Sequence, residues 1–319
     1  MGDSVDDLSL KRALDALPKE IAPPADDWPA VRARLRRRRR FPLRAAALLT
    51  LLALSAAALV LTREQAGRWT IRTAQQRHEL EPGDTIITRG NVAHLTVGSI
   101  GTVDVDPSTD AELLEARWSA HRLALRRGTI HARITAPPRL FVVETPSGTA
   151  VDLGCAYTLE VDSAGNSAIS VTAGWVSFES VGRYSLIPAG MHAAMRPGGR
   201  PGTPLRDSAS PALAEAVHAF DAAGDAAGRA AALQRALASA HRLDAVTLWH
   251  LVLRSSGEQQ RFALARLMEL APPSPDVRRA LETVNEPAMR LYWTELPGTL
   301  PIVPGWRRAL WLLWLRLGI

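Results

Sequence analysis

The residues that could do chemistry are few and scattered. The eight histidines are His78, His94, His121, His131, His192, His218, His241 and His250. None stands in an HExxH pattern or another spacing that would place two imidazoles on one metal. The single cysteine, Cys155, excludes an internal disulfide framework and any paired-thiol zinc or iron–sulfur site. No GxSxG elbow, Walker loop or GxGxxG fingerprint occurs, and Gly198-Gly199 falls in a Pro/Gly-rich stretch that cannot cradle a phosphate. Glu144 and Asp152 fall near strand ends without a partner carboxylate in sequence reach, and such groups are usually solvated. The expectation is a protein that is not an enzyme, with no cofactor and no metal.

What must position these residues is a chain of 319 amino acids, enough for about two domains. With 47% hydrophobic and 22% charged residues it has the composition of a folded protein. The net charge of +6 is uneven: residues 1–44 hold 11 basic and 7 acidic side chains, so most of the excess sits in one short segment. A body that binds nucleic acid directly is not implied.

Residues 45–61, AAALLTLLALSAAALVL, carry no charge. With their flanks they give about 20 residues, or roughly 30 Å of helix, the thickness of a bilayer core. A cleaved signal peptide would need a leader of some forty residues ahead of it, far beyond the usual. A buried soluble helix is the third reading. The expectation is a transmembrane helix over residues 41–62. The run Arg36, Arg37, Arg38, Arg39 and Arg40 before it acts as a topogenic flank, which places residues 1–40 in the cytoplasm and the rest outside. In a bacterium this makes an inner-membrane, single-pass protein with a periplasmic bulk. Ala53 and Ala57 form a small-xxx-small face that would suit a homodimer.

The cytoplasmic stub, residues 1–40, is too short to fold alone. It reads either as a leader whose basic end sets topology or as a segment that folds onto a cytoplasmic partner. In the second case Leu14, Leu17, Ile21 and Trp28 are the anchors.

From residue 69 to 196 the apolar period becomes two. Ile130, Ala132 and Ile134 alternate with polar neighbours, as do Tyr157, Leu159 and Val161, then Ile169 and Val171, then Val176 and Phe178. Turn signals such as Pro82-Gly83-Asp84, Arg127-Gly128, Pro146-Ser147-Gly148 and Ala164-Gly165-Asn166 recur between them. Many short strands at this spacing predict an all-β sandwich, jelly roll or β-roll. Gly148, Gly154 and Gly174 read as turn, bulge or close-approach positions. Tyr157 and Trp175 are read as core fillers, with a ligand-facing role as the alternative, and Cys155 as an inert buried thiol.

Residues 197–211 read as a linker, and residues 212–319 as helical. Leu233, Ala236, Leu237 and Ala240 follow helical spacing, as do Ala263, Leu264, Leu267 and Met268. Ser274-Pro275 reads as a cap followed by a first-turn proline. LDAVTLWHLVL, residues 243–253, is apolar nearly all round and should be central. Short helices with short connections suggest a helical-repeat-like module. The final WRRALWLLWLRL is too short to span a bilayer and either packs on that module or lies in a membrane interface.

The ordered series LRRGTIHARI, FVVETPSGTAVDLGCAYTLEVD and AISVTAGWVSFES resembles the FecR domain. The positions that carry the resemblance are Gly128, Thr145, Pro146, Gly148, Leu153, Gly154, Tyr157 and Gly174, and it spans roughly residues 78–190. Cys155 stands where the family more often has Thr. Together with the readings above, this gives the expected fold class, a multidomain α+β chain: one transmembrane helix, an all-β jelly-roll or β-roll-like FecR domain and a C-terminal all-α helical-repeat-like module. It also implies a membrane signalling regulator that relays a periplasmic signal, brought by an unknown periplasmic protein or ligand, to a cytoplasmic sigma factor of the extracytoplasmic-function class. The alternative is an envelope scaffold or adaptor with no sigma-factor role.

Overall fold

The computed structural model describes residues 67–73, 76–180 and 182–299, with Lys11, Arg12, Asp15, Ala16 and Ser55 besides. The chain divides into two compact units, Met1–Val60 and Leu61–Ile319. In the first, the Ala16 amide donates to the Arg12 carbonyl at 3.2 Å, one turn of helix. Everything below concerns the second.

Among the described residues of this unit, fifteen strands come first. They are β1 (Trp69–Arg72), β2 (Arg77–Leu80), β3 (Thr85–Ile87), β4 (Ala93–Val97), β5 (Gly101–Val105), β6 (Asp110–Arg117), β7 (Ala120–Ile134) and β8 (Phe141–Thr145). Then follow β9 (Gly148–Asp152), β10 (Ala156–Val161), β11 (Ser167–Ala173), β12 (Trp175–Ser180), β13 (Arg183–Pro188), β14 (Met191–Met195) and β15 (Leu205–Arg206). Period-two side chains and turn residues explain them: in β4, Ala93, Leu95 and Val97 are buried while His94 and Thr96 are exposed.

All fifteen strands join through β7, which is 15 residues long and serves two sheets. Its first half pairs with β6 and, in parallel, with β8; its second half pairs with β5 and β10. Among the described strands the other pairings are antiparallel.

The switch between sheets is a bulge. Asp110 pairs with Arg127 but its neighbour Ala111 pairs with Leu125, so one residue of β7 is extra. An extra residue inverts the side-chain phase. His121, Leu123 and Leu125 point inward before it, and Ile130, Ala132 and Ile134 after it. Gly128 sits at the bend with φ +98°, and a Cβ there would lie 2.3 Å from Thr109 Oγ1 and 2.5 Å from Thr109 Cα. Only glycine fits. One continuous apolar core collects the inward faces of both sheets and of the helices.

Among the described residues six α-helices follow: α1 (Pro211–Ala222), α2 (Ala226–Ser239), α3 (Ala245–Arg254), α4 (Gly257–Leu270), α5 (Pro275–Ala280) and α6 (Glu286–Trp293). Short side chains start four of them. Ser210, Asp225, Ser274 and Asn285 accept from the Leu213, Gly228, Val277 and Ala288 amides. Ala245 through Val252 of α3 are all buried, so this helix is the centre of the helical layer.

Several expectations are corrected here. A helical repeat stacks equivalent units, whereas these helices run 12, 14, 10, 14, 6 and 8 residues, with α1 packed on α2, and α4 and α6 packed on α3. The strands and helices form one compact unit, mostly a large antiparallel sheet, rather than a jelly-roll-like domain beside a separate all-α module. Within residues 197–211, Leu205–Arg206 form β15, paired with β14. No described helix is long and apolar enough to cross a membrane, which goes against the single-pass inner-membrane placement. The longest described helices, α2 and α4, have 14 residues each, about 21 Å at ~1.5 Å per residue, and both carry arginines. Apart from Ser55, the apolar run 45–61 lies outside the described residues, as does the Trp-rich end after residue 300.

Candidate functional site

Sheet and helices meet along a seam that a tryptophan cluster seals at one side. Trp293 of α6 packs edge-on to Trp175 of β12 at 5.8 Å between centroids and to Trp249 of α3 at 4.8 Å. All three are buried. The Trp249 Nε1–H donates to the Met289 carbonyl at 2.7 Å, so α3 and α6 are also tied by a buried hydrogen bond. His250 Nε2 lies 3.0 Å from the Leu186 carbonyl of β13. A carbonyl only accepts, so Nε2 carries the proton. Burial, helped by the Arg254 charge, holds this imidazole well below its ordinary pKa and keeps it neutral.

Beside this seal the seam opens into a cleft of about 380 Å³. Arg254, the last residue of α3, crosses its floor. Its Nη2 donates to Ser185 Oγ of β13 at 2.6 Å; its Nη1 donates to Thr203 Oγ1 at 2.6 Å and Asp221 Oδ1 at 3.2 Å. Asp221 of α1 accepts in turn from the Thr203 amide and hydroxyl at 2.6 and 2.8 Å. The Arg254 side chain is 13% exposed. One buried guanidinium thus ties sheet, connecting loop and two helices, which a fork of five donors can do and an ammonium cannot.

Three further arginines line the cleft: Arg183 from β13, Arg200 from the loop after β14 and Arg229 from α2. Arg229 donates to the Phe220 and Arg254 carbonyls at 3.4 and 3.2 Å and lies 3.9 Å over the Phe220 ring. Its acidity is increased mainly by burial, with the charges of Arg200 and Arg183 adding to the effect against Asp221. Facing them, the Tyr184 hydroxyl donates to Glu286 Oε1 at 2.9 Å, and Glu286 also holds Arg290 at 2.7 Å. These donors keep the Glu286 carboxyl below its usual range, with Arg290 the larger cause, while burial and the Glu286 bond push the Tyr184 phenol up to about 12.

A second buried cluster lies between β9 and β10. The Cys155 thiol donates to Asp152 Oδ2, and the Gly154 amide donates to Asp152 Oδ1, each at 2.6 Å. Burial raises the Asp152 carboxyl to about 7, against the pull of those hydrogen bonds, and raises the thiol well above its ordinary value. The buried Tyr157 hydroxyl finds no partner among the described residues. Such a thiol is no nucleophile.

The motif residues fall in three places. Gly128 is at the bend of β7. Thr145, Pro146 and Gly148 make the β8–β9 turn: Thr145 Oγ1 donates to the Gly148 carbonyl at 2.8 Å, and the Ser167 hydroxyl donates to Thr145 Oγ1 at 2.9 Å. Leu153, Gly154, Tyr157 and Gly174 surround the Asp152–Cys155 pair. Gly154 and Gly174 have φ +87° and +69°, and a Cβ on Gly174 would lie 2.3 Å from the Gly154 carbonyl oxygen. Tyr157 and Trp175 are core residues, 2% exposed each. Arg36 to Arg40 and Leu14, Leu17, Ile21 and Trp28 lie outside the described residues.

Glu144 pairs with Arg122 on the surface, and His131 sits between Asp106 Oδ2 at 3.0 Å and Thr158 Oγ1 at 2.9 Å. Among the described residues no group of three His, Cys, Asp or Glu side chains could hold a metal ion. The arginine cleft was not legible in the sequence. Its members come from β13, a loop, α2 and α3, and their spacing matches no motif.

No family model matches the chain, and no curated protein matches it either. Two crystal structures, at 2.50 and 1.65 Å resolution, of a protein described as a candidate anti-sigma factor from Parabacteroides distasonis are similar in part. Each is 14% identical with a TM-score of 0.34 over 43% of this chain, and the match spans 64% and 65% of those chains.

Proposed function

We propose that this chain is a non-enzymatic regulatory protein of the FecR type whose partner is a sigma factor of the extracytoplasmic-function class. The observation that carries the reading is the position of the motif glycines. Gly128 occupies a bend, and Gly174 a backbone contact with Gly154, that no side chain would fit, and Gly154 itself has φ +87°. The residues that resemble the family therefore stand where this fold needs them. A regulator of this kind must offer a rigid body and a place where binding shifts an equilibrium between states. The tryptophan-sealed seam and the open arginine cleft beside it suit both needs.

The sigma-factor contact is assigned to Leu14, Leu17, Ile21 and Trp28 in the N-terminal segment. Affinity capture of the full chain, with mass spectrometry of its partners, tests this. The comparison is a variant carrying Leu14→Asp, Leu17→Asp and Trp28→Ala. A sigma factor recovered with the wild type and lost with the variant is the expected result. Recovery of the same set of other proteins by both would sink the sigma link. A scaffold or adaptor role would then be the better reading, favoured by the fusion of helices and sheet into one unit through Trp175, Trp249 and Trp293.

A further inference from the structure

The arginine cleft has an electrostatic imbalance that the protein itself does not resolve. Four arginines line it against two carboxylates, Asp221 and Glu286. Both carboxylates are already occupied: Asp221 by Arg254 and Thr203, Glu286 by Arg290 and Tyr184. Arg254 and Arg229 are held in place by hydrogen bonds to the protein. The side chains of Arg183 and Arg200, by contrast, make no hydrogen bond or ion pair with any described residue, yet both stand at the same cleft as Arg229. Their charges act on Arg229 in the direction that disfavours its protonated form. Asp221 opposes that effect on Arg229, but positive charges in excess of their counter-charges still oppose folding, and an anion between them would remove that cost.

We propose that this cleft is a binding site for a small phosphate-bearing ligand, held by Arg183 and Arg200 over the fixed guanidiniums of Arg229 and Arg254. Two considerations select the phosphate. Guanidiniums reach the cleft from β13, the β14–β15 loop, α2 and α3, so they surround a tetrahedral, multiply charged centre better than one planar carboxylate. The volume of about 380 Å³ exceeds that of the anion alone and lies in the range of small-molecule sites. Tyr184, Pro201 and Leu253 supply a wall for the remainder of the ligand. Because the cleft lies on the seam, an occupant bridges sheet and helices and stabilises their contact. The site does not depend on the identity of any macromolecular partner.

The test uses the purified full-length chain, titrated with inorganic phosphate, phenyl phosphate and malonate at constant ionic strength. Binding is followed by calorimetry and by the thermal midpoint. Saturable binding of a phosphate probe with a rise in Tm, and at least about tenfold weaker binding by Arg183→Gln/Arg200→Gln, is the expected result. Tighter binding of phenyl phosphate assigns an ester, and equal binding assigns the free ion; both keep the site. Without ligand the double variant should melt at or above the wild-type temperature, because it removes exposed, mutually repelling charges; Arg200→Gln alone is the control if it does not. The proposal is overturned if neither phosphate probe binds more than chloride does. It is equally overturned if the variants bind as well as the wild type, or if malonate binds as tightly as the phosphates.

Discussion

Trp293 meets Trp175 edge-on, with ring planes at 87° and centroids 5.8 Å apart, across the boundary between the last helix and the sheet. The contact joins residues that are far apart in the chain, and Trp249 packs edge-on to the same ring from α3. Sheet and helices therefore share one aromatic core. Trp293→Ala should cost about 3–5 kcal/mol, the range for emptying a large core site. The wild type should melt in one transition, followed by near-ultraviolet and far-ultraviolet circular dichroism together. In Trp293→Ala the two signals should separate, the helical one going first. Coincident transitions in the variant would show that the helices do not depend on this contact.

Arg254 holds Ser185, Thr203 and Asp221 at once. Truncation would leave Asp221 and two hydroxyls short of donors in a closed environment. Arg254→Ala should lower stability by roughly 2–4 kcal/mol in denaturant titration. Arg254→Lys should recover less than half of this, since one ammonium cannot span the three acceptors. Full rescue by lysine would mean that charge alone matters there.

Asp152 gives the fold a pH dependence with a definite sign. Its carboxyl is raised from 3.8 to about 7 in the folded protein, so the fold prefers it protonated. This contribution is complete below the unfolded value, declines as pH rises, and is gone above about 7. The slope is at most about 1.4 kcal/mol per pH unit. Asp152→Asn, which keeps an acceptor for the Gly154 amide and cannot ionise, should gain on the wild type as pH goes from 4 to 8. A stability difference that stays flat across that range would refute the assignment.

His121 acts in the opposite sense. It accepts the Trp69 Nε1–H at Nδ1, 2.9 Å away, and is fully buried beside that ring. Burial lowers its pKa from 6.5 to about 4, although Glu115 pulls it up. The unfolded chain binds a proton at a pH where the fold does not, so stability should fall as pH drops from 6.5 toward 4. His121→Gln, which retains an acceptor for Trp69, should flatten the acid limb of the stability curve relative to the wild type.

Gly128→Ala tests the bend of β7. The residue has φ +98° and no room beside Thr109. The substitution should cost at least about 2 kcal/mol, from backbone strain and displacement of Thr109 together. Gly182→Ala is the informative comparison: it has φ +67° but open space around it, and should cost only the conformational part, about 1 kcal/mol.

Strand content was legible because alternation and turn chemistry are local: neighbours in sequence fix which face of a strand is apolar. The central helix was legible for the same reason, since an all-apolar stretch such as α3 has no solvent side to present. The cap at Ser274 and the glycines at 128, 154 and 174 belong here too, because a φ requirement or an orphan amide is met by the residue in place. Which surface each helix covers was not legible. Whether α6 stacks on a neighbouring helix or on a strand depends on where Trp175 and Trp249 come to lie, and no local pattern encodes that. The helical-repeat reading failed at this point, for spacing within each helix says nothing of which surface it covers.

The arginine cleft and the Asp152–Cys155 pair belong wholly to the folded molecule. Arg183 and Arg254 are ordinary residues in their own segments. They become one site because β13 and α3 are packed together by an aromatic core formed elsewhere along the seam. Asp152 is a routine strand-end acid in sequence, and it becomes a protonatable buried group only when β9, β10 and the Gly154–Gly174 contact close over it. Backbone conformation answers to the nearest few residues, whereas burial and charge environment answer to every element that arrives from a distance.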